Sequence, residues 1–280
     1  MTHLRTAGKV SPGQIPFRSL AGPIGRSARE GLWRKITALI AALFVSVQPS
    51  SADEEEREVV VLLHGLARTA RSMEGMAKAL RGGGYKVCNL GYPSRKLGIE
   101  ELALRHVLPE IQRCVGSKAR RIDFVTHSLG GIIVRQLRAS GAQLQFGRVV
   151  MLGPPNGGSE VVDKLGDLAL FEWINGPAGQ QLGTQEGSVP RSLGATDLDL
   201  GVIAGKDSIN PILSWMIPGE DDGKVSIENA KLAGMKDFLV VPVSHPFLMQ
   251  SPVVIEQTIH FLKLGRFEHD TQKVTRRGRH

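Results

Sequence analysis

The sequence predicts an α/β fold, a mostly parallel central sheet with helices on both faces, and three observations point to it. The run Glu58-Val59-Val60-Val61-Leu62-Leu63 is apolar almost throughout, the pattern of a strand covered on both sides rather than one. Strand-like and helix-like stretches alternate with short joins between 58 and 152. The helical stretches carry one apolar side each, as with Leu102, Leu104, Val107, Leu108 and Ile111 within 100–114.

Taken in order, the first strand ends at His64-Gly65-Leu66. Helical spacing covers 72–80 and stops at Gly82-Gly83-Gly84. A second strand covers 85–89, followed by the loop Gly91-Tyr92-Pro93-Ser94, and a helix covers 100–114. The third strand, 121–125, leads into Thr126-His127-Ser128-Leu129-Gly130-Gly131, and 132–137 continues as helix. A fourth strand, 148–152, ends in the loop Gly153-Pro154-Pro155-Asn156-Gly157-Gly158, and the rhythm then breaks. Residues 159–196 mix Gly, Pro and Gln with Leu168, Leu170, Phe171 and Trp173, as a lid- or cap-like excursion over the rim of the sheet would. Strands at 199–204 and 238–243 and a helix at 253–264 complete the fold, with no internal repeat.

Composition adds limits. The chain has 280 residues, 41% hydrophobic and 22% charged, an ordinary globular balance. Its net charge of +8 is uneven: seven basic residues and one acidic one, Glu30, lie in 1–52, and more basic residues crowd 273–279. The middle of the chain has no basic stripe interleaved with aromatics, which argues against nucleic-acid binding. Arg34-Lys35, the apolar run 36–47 and the small residues Ser50-Ser51-Ala52 have the order of a cleavable signal peptide, with an uncleaved anchor as the alternative. The run is shorter than the roughly 20 apolar residues that a membrane span needs. The stretch before it is long for such a leader, so the expected start lies near Leu32. The domains expected are an extension at 1–52, a folded domain at 53–265 and a basic, disordered tail at 266–280. The protein is then periplasmic or secreted, a compartment in which Cys88 and Cys114 can pair; two buried thiols are the equal alternative.

Ser128 stands at the joint between a buried strand and a helix. A serine on so sharp a turn projects its hydroxyl above the sheet. Gly130 gives the turn a small neighbour, and Gly131 lets the helix pack close to the strand.

These residues resemble the α/β-hydrolase superfamily, and more closely its small secreted bacterial lipases and esterases. The resemblance rests on the strand ending in His64-Gly65, the elbow around Ser128 and a late Asp-then-His pair, and it covers most of 58–265. Thr126 departs from the usual Gly-x-Ser-x-Gly elbow, placing a β-branched residue where the pattern has glycine. The resemblance implies that Ser128 is a nucleophile, with its partners in the chain order Ser, acid, His. His245, in the loop after the last strand, is the expected base, and His260, inside the final helix, is its rival. Asp221-Asp222-Gly223-Lys224-Val225 resembles the lipase acid loop, which makes Asp222 the expected acid before Asp221 and Asp207. The oxyanion donors implied are the backbone N–H groups of Leu66 and Leu129.

The substrate expected is a small-molecule or lipid ester. Leu168, Phe171 and Trp173 are candidates for an acyl pocket, and Trp215, Met216 and Ile217 for its facing wall; packing on the sheet is the alternative. A peripheral membrane contact fits such a substrate. The sequence holds no cofactor motif and no metal-ligand cluster, so neither a cofactor nor a metal is expected. Acyl transfer, amide or thioester hydrolysis, and a non-catalytic binding role are the other functions this fold admits.

Overall fold

The computed structural model describes residues 58–116 and 121–269, with the side chains of 170–172 excepted. The expected leader and cleavage site, the chain beyond 269 and the Phe171 side chain lie outside the described residues. Six strands form one parallel sheet: β1 (Val59–Leu63), β2 (Lys86–Leu90), β3 (Ile122–His127), β4 (Phe146–Leu152), β5 (Asp199–Gly205) and β6 (Asp237–Val241). Their spatial order is β2-β1-β3-β4-β5-β6. The helices are α1 (Glu74–Gly82), α2 (99–115), α3 (Leu129–Ala139), α4 (Glu160–Leu165), α5 (Ala169–Gln180), α6 (Val189–Ser192), α7 (Pro211–Met216), α8 (Ile227–Ala230) and α9 (Pro252–Leu264).

Alternation along the buried strands divides the core in two. Val59, Val61, Leu63, Phe124 and Val149 face α2 and α3, whose Leu102, Val107, Ile132 and Ile133 cover them. Val60, Leu62, Val125 and Val150 face the other way, onto Met76 and Leu80 of α1 and Val254 and Phe261 of α9. Both faces of the sheet are therefore apolar, as the uninterrupted run at 59–63 requires. Within α2 a π turn spans Leu102–Val107 just before Pro109. Proline has no N–H to give and crowds the preceding turn, and a wider turn accommodates both.

The ordered packing runs past the boundary expected at 265. Phe267 is buried against Phe261, with ring centroids 4.9 Å apart, and its N–H donates to Asp237 Oδ2 at 2.7 Å. Burial of this one aromatic carries the chain back onto the sheet, so residues 266–269 belong to the domain and not to the tail.

Cys88, on edge strand β2, is bridged to Cys114 near the end of α2, which settles the alternative left open by the sequence. The bridge closes a loop of 26 residues, and such a loop restricts the unfolded chain by about 3 kcal/mol. Replacing both cysteines by Ser is expected to lower the thermal midpoint by about 10 °C for a domain of this size. Thermal unfolding of the two proteins side by side measures it, and equal midpoints would show that the bridge adds nothing.

Candidate active site

The chain passes from β1 outwards to β2 and returns on the other side of β1 to β3, so the order of strands reverses between β1 and β3. Their carboxyl ends lie side by side, with Leu63 paired to Thr126, and the loops leaving them must diverge. In open α/β sheets a crevice forms at such a place. Ser128 lies there.

Ser128 follows β3 at φ 53° and ψ −119°, a left-handed conformation that costs a non-glycine residue energy and turns the chain sharply into α3. Its N–H donates to Leu152 O at 2.9 Å, and its carbonyl accepts from Gly131 N at 2.9 Å. A Cβ on Gly130 would lie 2.7 Å from Leu63 O, so only glycine lets α3 start this close to β1. A Cβ on Gly131 would press on Met151 Sδ at 3.0 Å, in accord with the close helix–strand packing expected there. Thr126 is fully buried within β3, and its hydroxyl has no partner among the described residues.

His245 lies in the loop after β6, at the start of a 3-10 turn (His245–Gln250), and its ring is buried. Its Nδ1 donates to Asp222 Oδ2 at 2.7 Å, which leaves Nε2 as the ring's acceptor. Asp222 is held in turn: Oδ1 accepts from Lys224 N and Val225 N, each at 3.0 Å, and its carbonyl accepts from His245 N at 2.9 Å. Asp221 is turned away to a different task. Its Oδ1 accepts from the Ser214 hydroxyl at 2.7 Å and from Gly223 N at 2.6 Å, closing the acid loop. Asp207 is exposed, and His260 bonds Arg266 O within the C-terminal segment. The structure thus brings Asp222 and His245 together and leaves their rivals outside. The Ser128 hydroxyl makes no hydrogen bond to the described residues, His245 included, as is common in unliganded sites whose contacts tighten on substrate.

The loop after β1 is braced from β2. His64 is fully buried and stacks on Tyr92 with ring centroids 4.1 Å apart; it donates through Nδ1 to Gly65 O and accepts from Tyr92 N. The Tyr92 hydroxyl donates to His64 O. Burial is the main reason that the His64 pKa falls below its ordinary value, so the ring is neutral. Ala67, at φ 55°, donates its N–H to Ser94 Oγ at 3.1 Å. The N–H groups of Leu66, in the loop after β1, and of Leu129, directly after Ser128, are given to no protein acceptor among the described residues.

Two residues matter here that the sequence reading passed over. His127 Nε2 donates to His245 O at 3.0 Å, tying the turn before Ser128 to the loop that carries His245. Burial first, then the neighbouring His245, hold its pKa well below the ordinary value, and its Nδ1 is buried without a partner among the described residues. Gly153, at φ 55°, has room for no side chain: a Cβ would lie 3.0 Å from Asp222 Oδ2, 3.1 Å from His245 Nδ1 and 2.8 Å from Leu248 Cδ1. Its signal in the sequence was a glycine ending a buried strand. Gly153→Ala is expected to lower kcat by about tenfold to a hundredfold and stability by about 1–2 kcal/mol, from backbone strain and a wedged Asp–His contact. Steady-state kinetics with thermal unfolding checks this, and an unchanged kcat would mean the pair has slack.

Beside Ser128 and His245 lies a cavity of about 220 Å3. Its apolar wall comes from Val161 and Val162 of α4, Leu182, and Ile209 and Leu213 by α7. The expected acyl-pocket residues Leu168 and Trp173 are not in it: they are 55% and 76% exposed. The reason is the break at Gly176–Pro177, where Gly176 takes φ 64° and α5 turns Asn175 and Ala178, not Trp173, inwards. Trp215 is likewise exposed, and Leu213 takes the place expected for it.

No protein-family model and no curated protein sequence matches the chain. Solved structures do. The mature form of lipase BlEst2 from Bacillus licheniformis superposes with a TM-score of 0.57 at 21% identity, over 75% of this chain and 92% of that one. Phospholipase PlaB from Legionella pneumophila gives 0.60 at 15%, over 79% and 62%, and Aspergillus fumigatus lipase B gives 0.58 at 15%, over 82% and 59%. The chain spans less than two thirds of the last two proteins.

Proposed function

Because this chain has the α/β-hydrolase fold, we propose that it is a serine hydrolase that cleaves carboxylic esters through an acyl-enzyme intermediate. The observation that carries this reading is the buried Asp222–His245 pair, 2.7 Å apart, on the wall of the cavity that Ser128 enters from its strained turn. Ser128 Oγ attacks the ester carbonyl carbon while His245 Nε2 takes its proton, and Asp222 stabilises the resulting imidazolium. The carbonyl oxygen, now an anion, turns to the N–H groups of Leu66 and Leu129, the latter at a helix N-terminus. The C–O bond breaks, and the alcohol leaves with the proton from His245. Water then gives a proton to His245 and attacks the acyl carbon, releasing the acid and returning the proton to Ser128.

The cavity is smaller than the roughly 300–1,000 Å3 of drug-sized sites, which favours a short or medium acyl chain. The Cys88–Cys114 bridge supports a periplasmic or secreted location. The test is hydrolysis of 4-nitrophenyl esters from acetate to palmitate, together with labelling by an alkyl fluorophosphonate. Turnover best on butyrate or hexanoate, with the phosphonyl adduct on Ser128, is the expected result. An intact protein that turns over no ester and takes no label would overturn the reading. Label with transfer to an added alcohol but not to water would make it an acyltransferase.

A further inference from the structure

The cavity beside Ser128 holds two cations for which ester hydrolysis has no use. Arg68 follows the β1 loop, Lys224 stands in the acid loop, and both line the cavity. Neither has an ion-pair partner among the described residues. Both border one space, the cavity that His127, Ser128 and His245 also line. Lys224 is open to solvent at the rim, yet enough protein surrounds its ammonium that desolvation, and then Arg68, pull its pKa below the ordinary lysine value against the opposing pull of Asp222.

Asp222 is the only carboxylate on the cavity wall among the described residues, and both of its oxygens are already engaged, by His245 and by two backbone N–H groups. Two unpaired like charges beside an apolar wall repel one another at rest. An oxyanion placed between them removes that repulsion and gains charge-assisted hydrogen bonds from preformed donors. An uncharged ester gains neither.

We propose that the site selects esters bearing an anionic oxygen group, a phosphate or a carboxylate, held between Arg68 and Lys224 while the acyl chain lies along Val161, Val162 and Leu213. This rests on the ester-hydrolase reading for its chemistry, and the anion-binding element can be tested without it.

Two matched pairs of substrates locate the charge: butyryl glycerol phosphate against butyryl glycerol, with the anion on the alcohol side, and monomethyl adipate against methyl hexanoate, with the anion on the acyl side. In at least one pair the anionic member is expected to have a kcat/KM about tenfold or more higher at low salt. That ratio should fall towards one in Arg68→Gln/Lys224→Gln and shrink at high salt. The single variants, each expected to lose about threefold, serve if the double variant is unstable, and Arg68→Lys should restore part of the ratio. Ratios near one in both pairs, or ratios that the variants leave unchanged, would overturn the proposal. In parallel, calorimetry on Ser128→Ala compares butyl phosphate with butanol. If no ester turns over but butyl phosphate binds and the double variant abolishes the binding, the anion site stands and the ester reading falls. If neutral esters turn over and butyl phosphate binds no better than butanol, the reverse holds.

Discussion

Ser128→Ala is expected to lower kcat/KM on a short-chain ester by about five to six orders of magnitude while leaving the fold intact. The size follows from removing the nucleophile of a set that acts as a unit, since the remaining members then have nothing to activate. The fold is spared because the Ser128 side chain bonds to no described residue, and because the elbow is held by backbone contacts, Ser128 N to Leu152 O and Gly131 N to Ser128 O, which alanine keeps. Thermal unfolding should shift by no more than about 0.5 kcal/mol, as for a substitution that disturbs no packing or buried bond. A variant that folds and retains turnover would remove Ser128 from the chemistry altogether.

The second large effect separates the two adjacent acids. Asp222→Asn keeps an amide oxygen for Lys224 N and Val225 N but turns an NH2 towards His245 Nδ1. The ring must then present a lone pair at Nδ1 and carry its proton on Nε2, where it can take none from Ser128. A loss of about 10,000-fold in kcat is expected from the wrong tautomer, with little change in stability. Asp221→Asn should do the opposite. It weakens the bonds to the Ser214 hydroxyl and Gly223 N by about 1 kcal/mol and touches no tautomer. Measured together, the two variants should split into one catalytic and one stability defect. If Asp221→Asn abolished turnover and Asp222→Asn did not, the roles would be exchanged.

The inner strands were legible because burial on both faces writes a largely apolar run, and β1 at 59–63 is the clearest of them. The elbow was legible because glycine at 130 has a steric cause, the carbonyl of Leu63. Asp222 was harder, since Asp221 beside it is buried too and has a turn to close, and only the direction of each carboxylate tells them apart. Leu168 and Trp173 lie outside the cavity beside Ser128 for a physical reason. The apolar residues of 168–173 suggested an inward face, but the break at Gly176–Pro177 decides which side of α5 turns in, and no periodicity reports such a break. Arg68 and Lys224 carried no signal at all, because a cation in a loop reads as solvated until the fold shows what it faces.

The groups around Ser128 and much of the wall of their cavity come from different parts of the chain. Ser128, Leu66, Asp222 and His245 all stand on loops leaving the ends of neighbouring parallel strands, whose relative heights are fixed by sheet registers such as Leu63 to Thr126. Much of the cavity wall instead comes from Val161, Val162 and Leu182, in a stretch between β4 and β5 that contributes no strand. That stretch pairs with no strand, and its ties to the Asp222 loop run through Ser159 Oγ, which donates to Lys224 O at 2.8 Å, and Glu160 Oε1, which accepts from the Ser226 hydroxyl at 2.8 Å. A change confined to Val161, Val162 or Leu182 would therefore reshape the cavity wall while the strand registers stay as they are.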